Sequence, residues 1–373
     1  MAQKVLSIVS TLWRCGPTNV LEGIVRGYDP AKYQAIVATL SPNPADSILQ
    51  ELRSIGIRVE EMNLSRAASF LFGAERLREL VQALKVDLVH CHGFRADVLA
   101  SKGRLQVPTV ATIHSDNLTN YQLFYGRVSG KWMARREFAA LREFDRVIAV
   151  SDTVAARVRS QGLQCEVIEN GVDVNRYRPP SGASEKAILR ERLRLSQEQL
   201  VVLHTGRLTN LKQPVEVIGG FLGSRVSRDA VLLVAGEGPL RQKCQKAAAG
   251  ARNVLFLGKR QDLLDLLRAS DVLISNSCTE GMPLALLEGC ACGMRVIAAD
   301  IPPHRRIRGL FVQQVLLYPG HEPHAVAAAL DEHATTEIAH TLQPRRESLE
   351  AISASRMSRE YQSVYDSLCA RNT

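Results

Sequence analysis

Aromatic residues are scarce in this 373-residue chain: Phe, Trp and Tyr together make up 5%. Proteins that grip single-stranded nucleic acid stack bases on aromatic rings set among cations. No basic stretch here is regularly interleaved with such rings, so no nucleic-acid partner is expected. Long apolar runs are missing as well, and none approaches the ~18 residues that a bilayer-spanning helix needs. The eight cysteines (Cys15, Cys91, Cys165, Cys244, Cys278, Cys290, Cys292 and Cys369) are scattered and form no C-x-x-C pair, which excludes a disulfide scaffold. The tripeptide His90-Cys91-His92 invites a zinc reading. Neighbours on a strand point to opposite faces, so at most His90 and His92 share an ion, and further ligands are not evident. No metal and no cofactor is expected. The dinucleotide fingerprint G-x-G-x-x-G and the Walker A sequence are also absent. Gly236-Glu237-Gly238-Pro239-Leu240-Arg241 lacks the third glycine. NAD enzymes and P-loop NTPases are thereby disfavoured.

What remains is ordinary for a globular chain, with 46% hydrophobic and 23% charged residues. At roughly 150 residues per domain, the length suggests two domains. The net charge is +9. A basic bias spread over a solvated surface explains it, and so does an anionic substrate or an anionic lipid surface. The first apolar stretch, Val5 to Val9, is too short for a signal-peptide core and reads as a buried strand, so a cytoplasmic location is expected.

Strands are predicted over 4–9, 34–39, 57–62, 87–91, 109–113, 146–150 and 166–169, with helices over 17–27, 45–55, 73–85, 94–103, 120–143 and 151–162. Runs such as Thr109-Val110-Ala111-Thr112-Ile113 suit strands covered on both faces, as in a parallel sheet. A Pro/Gly-rich linker, Arg176 to Gly182, and a polar helix interrupt the alternation. It then resumes with strands over 199–205, 230–235, 253–257, 271–274 and 294–298 and helices over 213–224, 239–250, 261–269, 281–292 and 322–335. A last helix near 355–370 carries Tyr361 and Tyr365 on one face. The pattern is α/β, with two doubly wound parallel-sheet domains over 1–178 and 179–354.

Four segments carry candidate chemistry. Between Glu280 and Glu288, Gly281 permits a sharp turn and Pro283 suits a first helical turn. The backbone N–H groups of Gly281, Met282 and Leu284 would then face an anion at a positive helix end. Eight residues on a helix span ~12 Å, too far for a close carboxylate pair. The two glutamates suit two grips on one extended ligand, or else a capping Glu280 and a solvated Glu288. Gly206-Arg207 to Lys212 follows a strand end, where open α/β sheets bind ligands. Its planar guanidinium and point charge fit a diphosphate, or are two solvated loop cations. Gly16, after the first strand, allows close backbone approach, or is a plain turn. His114 ends another strand and either bonds a sugar hydroxyl or polarises a leaving group, or is structural.

Together these segments resemble the retaining glycosyltransferases of the GT-B fold, family 4, the "group 1" class, across nearly the whole chain. Glu280 to Glu288 matches the E-x7-E element, continued by Ala291 to Ala298. Gly206-Arg207 to Lys212 matches the phosphate loop. Gly236 to Leu240, Ile168 to Asp173 and the Gly16 turn match further signatures. The resemblance implies two Rossmann-like domains facing a cleft, with the last helix, about 355–373, packing back on the first. It implies that Arg207 and Lys212 hold a donor diphosphate, with Gly206 in the same loop. Glu280 would contact the transferred sugar, with N–H groups of Gly281, Met282 and Leu284 assisting, and Glu288 would hold the ribose. Gly16 would close on the phosphate, and His114 would touch the donor sugar near the reacting carbon. Gly258-Lys259-Arg260 would pack the base. The implied reaction moves a hexose from a nucleotide diphosphate sugar, UDP favoured, to a glycan or lipid-linked glycan in O-antigen, capsule or exopolysaccharide synthesis, without a metal. An epimerase or hydrolase of the same fold and a non-catalytic sugar-nucleotide-binding subunit are the alternatives. The sequence departs from the pattern at Cys15, where many relatives have a second glycine, and at Arg306, where many have a glutamate.

Arg127, Lys131, Arg135, Arg136 and Arg142 lie beside Leu123, Phe124, Val128, Trp132 and Met133 in helix 120–143. Ser69-Phe70-Leu71-Phe72 is expected as an apolar loop. Such a set suits docking on an anionic membrane face, or a helix half in a core.

Overall fold

The computed structural model describes residues 2–334 and 342–370. The chain divides into two compact units, Met1–Gly171 with Ala354–Thr373, and Val172–Ser353. The break falls at Gly171 rather than after residue 178. The Val172 N–H donates to the Ile352 carbonyl at 2.8 Å, and the Tyr177 hydroxyl is bonded to Glu288, so both residues belong with the second unit.

The first unit is built on a seven-stranded parallel sheet: β1 Gln3–Val9, β2 Tyr33–Thr39, β3 Arg58–Glu61, β4 Leu88–His92, β5 Thr109–Ile113, β6 Arg146–Ala149 and β7 Glu166–Val167. Their order is β3-β2-β1-β4-β5-β6-β7. The chain winds outward from β1, then returns to place β4 on its other side, which creates a switch point between the two strands. Every residue of β4 and β5 is buried, because helices cover both faces of the sheet. Helix Ala354–Cys369 packs on helix Gly16–Arg26. The Ser358 hydroxyl donates to the Ile24 carbonyl at 2.7 Å, and a Cβ on Gly27 would lie 2.6 Å from Ser358 Cβ. That glycine lets the two helices touch.

The second unit has six parallel strands: β8 Leu200–Thr205, β9 Ala230–Ala235, β10 Val254–Gly258, β11 Val272–Ser275, β12 Arg295–Ala299 and β13 Val315–Tyr318. Their order is β10-β9-β8-β11-β12-β13, with the switch point between β8 and β11. Val202, Ile218, Phe221, Leu232 and Ile274 form part of its core, each at most 1% exposed.

Several expectations need correction. Helix 120–143 is two helices, Asn117–Tyr125 and Arg127–Leu141. They break at Gly126, whose φ of 83° takes it out of the right-handed helical region. The second then folds against the first so closely that a Cβ on Gly130 would meet the Tyr121–Gln122 backbone at 2.4 Å. Ser69 to Phe72 is not a loop. Helix Arg66–Leu84 begins earlier than 73, because Ser65 caps it through the Ala68 N–H at 3.1 Å. The helix expected over 281–292 starts at Leu284, with Pro283 as its cap residue. β13 and the helices Pro302–Leu310 and Arg346–Ala351 were not anticipated. The end of the helix expected over 322–335 lies outside the described residues, as do 371–373 of the last helix. Among the described residues, no helix is long and apolar enough to cross a membrane.

Candidate functional site

The candidate segments of the second unit lie at the carboxyl ends of β8, β9, β10 and β11, flanking the switch point. The loops after β8 and β9 are joined backbone to backbone. The Gly206 N–H donates to the Ala235 carbonyl at 3.0 Å, Leu208 N–H to Glu237 at 3.0 Å, and Leu240 N–H to Leu208 at 3.1 Å. A Cβ on Gly236 would lie 1.9 Å from the Gly206 carbonyl oxygen, and one on Gly238 would lie 2.4 Å from that of Leu208. The two glycines of Gly236-Glu237-Gly238 are therefore spent on holding the Arg207 loop in place. Gly206 itself has φ 140°.

From that loop Lys212 reaches across to the segment after β11, where its ammonium donates to a Glu280 carboxylate oxygen. The Cys278 N–H donates to the Leu211 carbonyl at 2.9 Å and ties the same two segments. Burial pushes the Glu280 carboxyl up, but the Lys212 charge and hydrogen bond, with a bond from Ser277, outweigh it and hold the carboxyl below its ordinary value. Glu280 is thus ionised and paired. It lies before the helix, not on it, so the helical spacing to Glu288 does not apply. Gly281 and Met282 are buried between Glu280 and the helix start at Leu284. Glu288 is 5% exposed, which overturns the solvated alternative, and it bonds the Tyr177 hydroxyl. Arg207 is exposed.

Gly258 ends β10 with φ 66°, and a Cβ there would lie 3.0 Å from a Glu237 carboxylate oxygen. Arg260 makes a two-pronged bond to Asp262, at 2.8 and 2.6 Å. Structure therefore joins Gly206, Lys212 and Glu280 most directly, and places Gly258 and Arg260 at the end of β10, beyond β9.

Three residues near this site escaped the sequence reading. Asn276 is fully buried and braces the loop after β11, donating to the His321 carbonyl at 2.8 Å and accepting from the Tyr318 hydroxyl at 2.8 Å. His304 and His204 are buried, and their Nδ1 atoms lie 2.7 and 3.3 Å from the Ala299 and Ile274 carbonyls. Burial lowers both, His204 to about 4, so both are neutral at pH 7. Polar residues buried by tertiary packing leave no local signal in a sequence.

In the first unit, Gly16 opens the helix after β1. Cys15 occupies the cap position and its N–H donates to Thr18 Oγ1 at 2.9 Å. Nothing lies within 4 Å of a Cβ built on Gly16, so the fold itself does not require glycine there. His114 follows β5 and is half-buried, with Nε2 3.1 Å from Nδ1 of His92. His90 lies on the same face as His92, but its nitrogens are engaged by the Tyr365 hydroxyl at 2.8 Å and Thr112 Oγ1 at 2.7 Å. Among the described residues, no group of three or more His, Cys, Asp and Glu side chains is placed to hold a metal.

A lysine paired to a carboxylate, with an arginine in the same loop, suits a ligand that is anionic at one end and hydroxylated at the other. Comparison with known proteins gives the family. Residues 15–176 match the model of Glycosyltransferase Family 4, and residues 185–349 match that of Glycosyl transferases group 1. The UDP-Gal:alpha-D-GlcNAc-diphosphoundecaprenol alpha-1,3-galactosyltransferase of Escherichia coli is 28% identical over 242 residues, 60% of each chain. The D-inositol 3-phosphate glycosyltransferase of Salinispora tropica is 31% identical over 301 residues, 74% of this chain and 62% of its own. The matches thus span about three fifths of these relatives' length. A solved structure of the Anabaena protein HepE, in complex with UDP and glucose, superposes with a TM-score of 0.81 at 19% identity, covering 98% of this chain and 100% of the other. With both family models matched in order over most of its length, the chain belongs to the glycosyltransferases of family 4 and group 1.

Proposed function

We propose that this chain is a retaining glycosyltransferase that moves a hexose from a UDP-sugar to a lipid-linked glycan acceptor. The observation that carries the reading is the Lys212–Glu280 pair at the β8/β11 switch point, beside the Arg207 loop. Cleavage of a sugar–diphosphate bond builds negative charge on the leaving group. Arg207 and Lys212 stabilise that charge, and the N–H groups of Gly281, Met282 and Leu284 add to it. Glu280, ionised, accepts bonds from sugar hydroxyls, and Glu288 holds the ribose. Fixed cations supply the charge that a divalent metal would otherwise bring, so activity persists in a chelator. Uridine is favoured as the base because the E. coli relative is named for UDP-Gal and the Anabaena structure holds UDP.

The lipid-linked acceptor is favoured by the surface of the first unit. Helices Asn117–Tyr125 and Arg127–Leu141 expose Leu123, Tyr125, Val128 and Trp132 together with Arg127, Lys131, Arg135 and Arg136. Phe70, Leu71 and Phe72 project from helix Arg66–Leu84, with the Lys102 ammonium 4.8 Å from the Phe70 ring centre. Apolar side chains among cations suit the headgroup region of an anionic bilayer on the cytoplasmic face. The test is product mass spectrometry with a panel of UDP-hexoses and alpha-GlcNAc-diphosphoundecaprenol, in chelator. Hexose added to the lipid is the expected product. Donor turnover without any acceptor product would instead favour an epimerase or hydrolase.

A further inference from the structure

β4 and β5 lie in parallel register, with His92 opposite Thr112, and His114 follows β5. The His92 and His114 rings stack with centroids 5.3 Å apart and planes 27° apart, joined by the 3.1 Å contact between His92 Nδ1 and His114 Nε2. Both rings are neutral at pH 7, because burial lowers His114 to about 4 and His92 well below its ordinary value. One of the two facing nitrogens therefore carries the proton, and the other accepts it.

The surroundings of His92 decide which. His92 is 5% exposed, and its Nε2 is occluded without a hydrogen-bond partner. If His114 Nε2–H donated, the His92 proton would sit on Nε2, a buried donor with nothing to receive it. If His92 Nδ1–H donates, Nε2 is a bare lone pair. Orphaned buried N–H groups are rarer in proteins than under-satisfied acceptors. The second arrangement is favoured, and it leaves the His114 proton on Nδ1.

His92 is itself braced. Its ring lies 4.1 Å from that of His90, which is held by Tyr365 and Thr112. Tyr365 in turn accepts from the Tyr28 hydroxyl at 3.3 Å, and Thr112 is bonded to the Tyr361 hydroxyl at 3.0 Å. The last helix thus anchors the strand end from below.

We infer that His92 is a positioning residue that fixes His114 as the Nδ1–H tautomer, so that half-buried His114 carries an N–H and not a basic lone pair on its other nitrogen. The nitrogen that a hydrogen bond occupies sets the role of the other. On the proposed transfer reading, on which this inference rests, His114 acts as a hydrogen-bond donor and is not the general base.

The test is a long-range 1H–15N correlation spectrum of the full chain labelled at histidine, at pH 7. The expected spectrum shows His114 with Nδ1 protonated and Nε2 bare. His92→Phe should lose that form, since an unconstrained imidazole prefers Nε2–H. His92→Asn, whose amide N–H lies near the position of Nδ1–H, should restore it. A wild-type His114 protonated at Nε2 overturns the inference, as does an unchanged tautomer in His92→Phe. Should His92→Phe fail to fold, the wild-type and His92→Asn spectra decide alone. No substrate enters these spectra, so failure of the transfer assay and failure of this inference are distinguishable.

Discussion

Glu137 gives the most quantitative prediction. It is fully buried in helix Arg127–Leu141, where it accepts from Asn117 Nδ2 and the Tyr121 hydroxyl, each at 2.8 Å. Asp97, also fully buried, faces it from helix Phe94–Gly103, and burial together with the Glu137 charge raises Asp97 well above the ordinary carboxylate range. Burial raises Glu137 from 4.5 to about 7 against the pull of its hydrogen bonds. A carboxyl raised in the folded state favours folding most where it is protonated in both states, below about pH 4.5. That contribution is lost as pH rises through 7, by about 3 kcal/mol at ~1.4 kcal/mol per unit. The buried histidines act in the opposite sense. His90 is lowered to about 3 and His114 to about 4, so the fold gains from them as pH rises towards 6.5. Wild-type stability alone therefore hides the Glu137 effect. The difference between wild type and Glu137→Gln reads the Glu137–Asp97 pair, because glutamine neither titrates nor raises Asp97 by its charge. Urea or thermal denaturation at pH 4.5, 5.5, 6.5 and 7.5 should show Glu137→Gln gaining on wild type by about 3 kcal/mol. For a unit of this size that is roughly 6–12 °C in Tm. A difference that stays constant with pH would refute the reasoning.

Other perturbations have equally defined outcomes. Arg207→Ala and Lys212→Ala should each lower kcat by roughly 10²–10³-fold, the usual cost of removing one group that stabilises developing charge, as read in the transfer assay. Gly236→Ala forces a Cβ into the Gly206 carbonyl, so calorimetry should show a loss of about 1–3 kcal/mol or more. Binding to anionic liposomes should be strong at low salt and weaken with salt. Trp132→Glu combined with Arg135→Glu should abolish co-sedimentation while leaving the circular dichroism spectrum unchanged.

The alternation of strands and helices was legible because both sheets are parallel and covered on both faces, so β5 and β9 read as near-continuous β-branched or apolar runs. The edge strand β13, only four residues long, carries too little pattern to announce itself. Pro302 and Pro303 occupy the first turn of the unanticipated helix Pro302–Leu310, where a missing N–H costs nothing. The break at Gly126 was hidden because apolar and basic residues continue in helical spacing across it. Phe70 to Phe72 resembled a loop because their exposed face does not follow the burial pattern of an amphipathic helix. At the site, the glycines and the charged residues stood out because they fall in short motifs that follow predicted strands. Asn276, His204 and His304 did not, and His92 stood out only as half of a possible metal pair, not as the partner of His114. The partners of Asn276, His204 and His92 come from distant segments that only the folded sheet brings together, and the burial of His304 comes from tertiary packing.

The central claim is that Arg207 and Lys212 hold a nucleoside diphosphate without a metal. Isothermal titration of UDP, GDP and ADP into the full chain in chelator tests it most directly, with the Arg207→Ala/Lys212→Ala double variant beside the wild type. The account predicts that UDP binds the wild type and that the double variant loses at least ~100-fold in affinity, the ~3 kcal/mol expected of two charge-assisted contacts. Wild type that binds none of the three, or a double variant that binds UDP equally well, would contradict it.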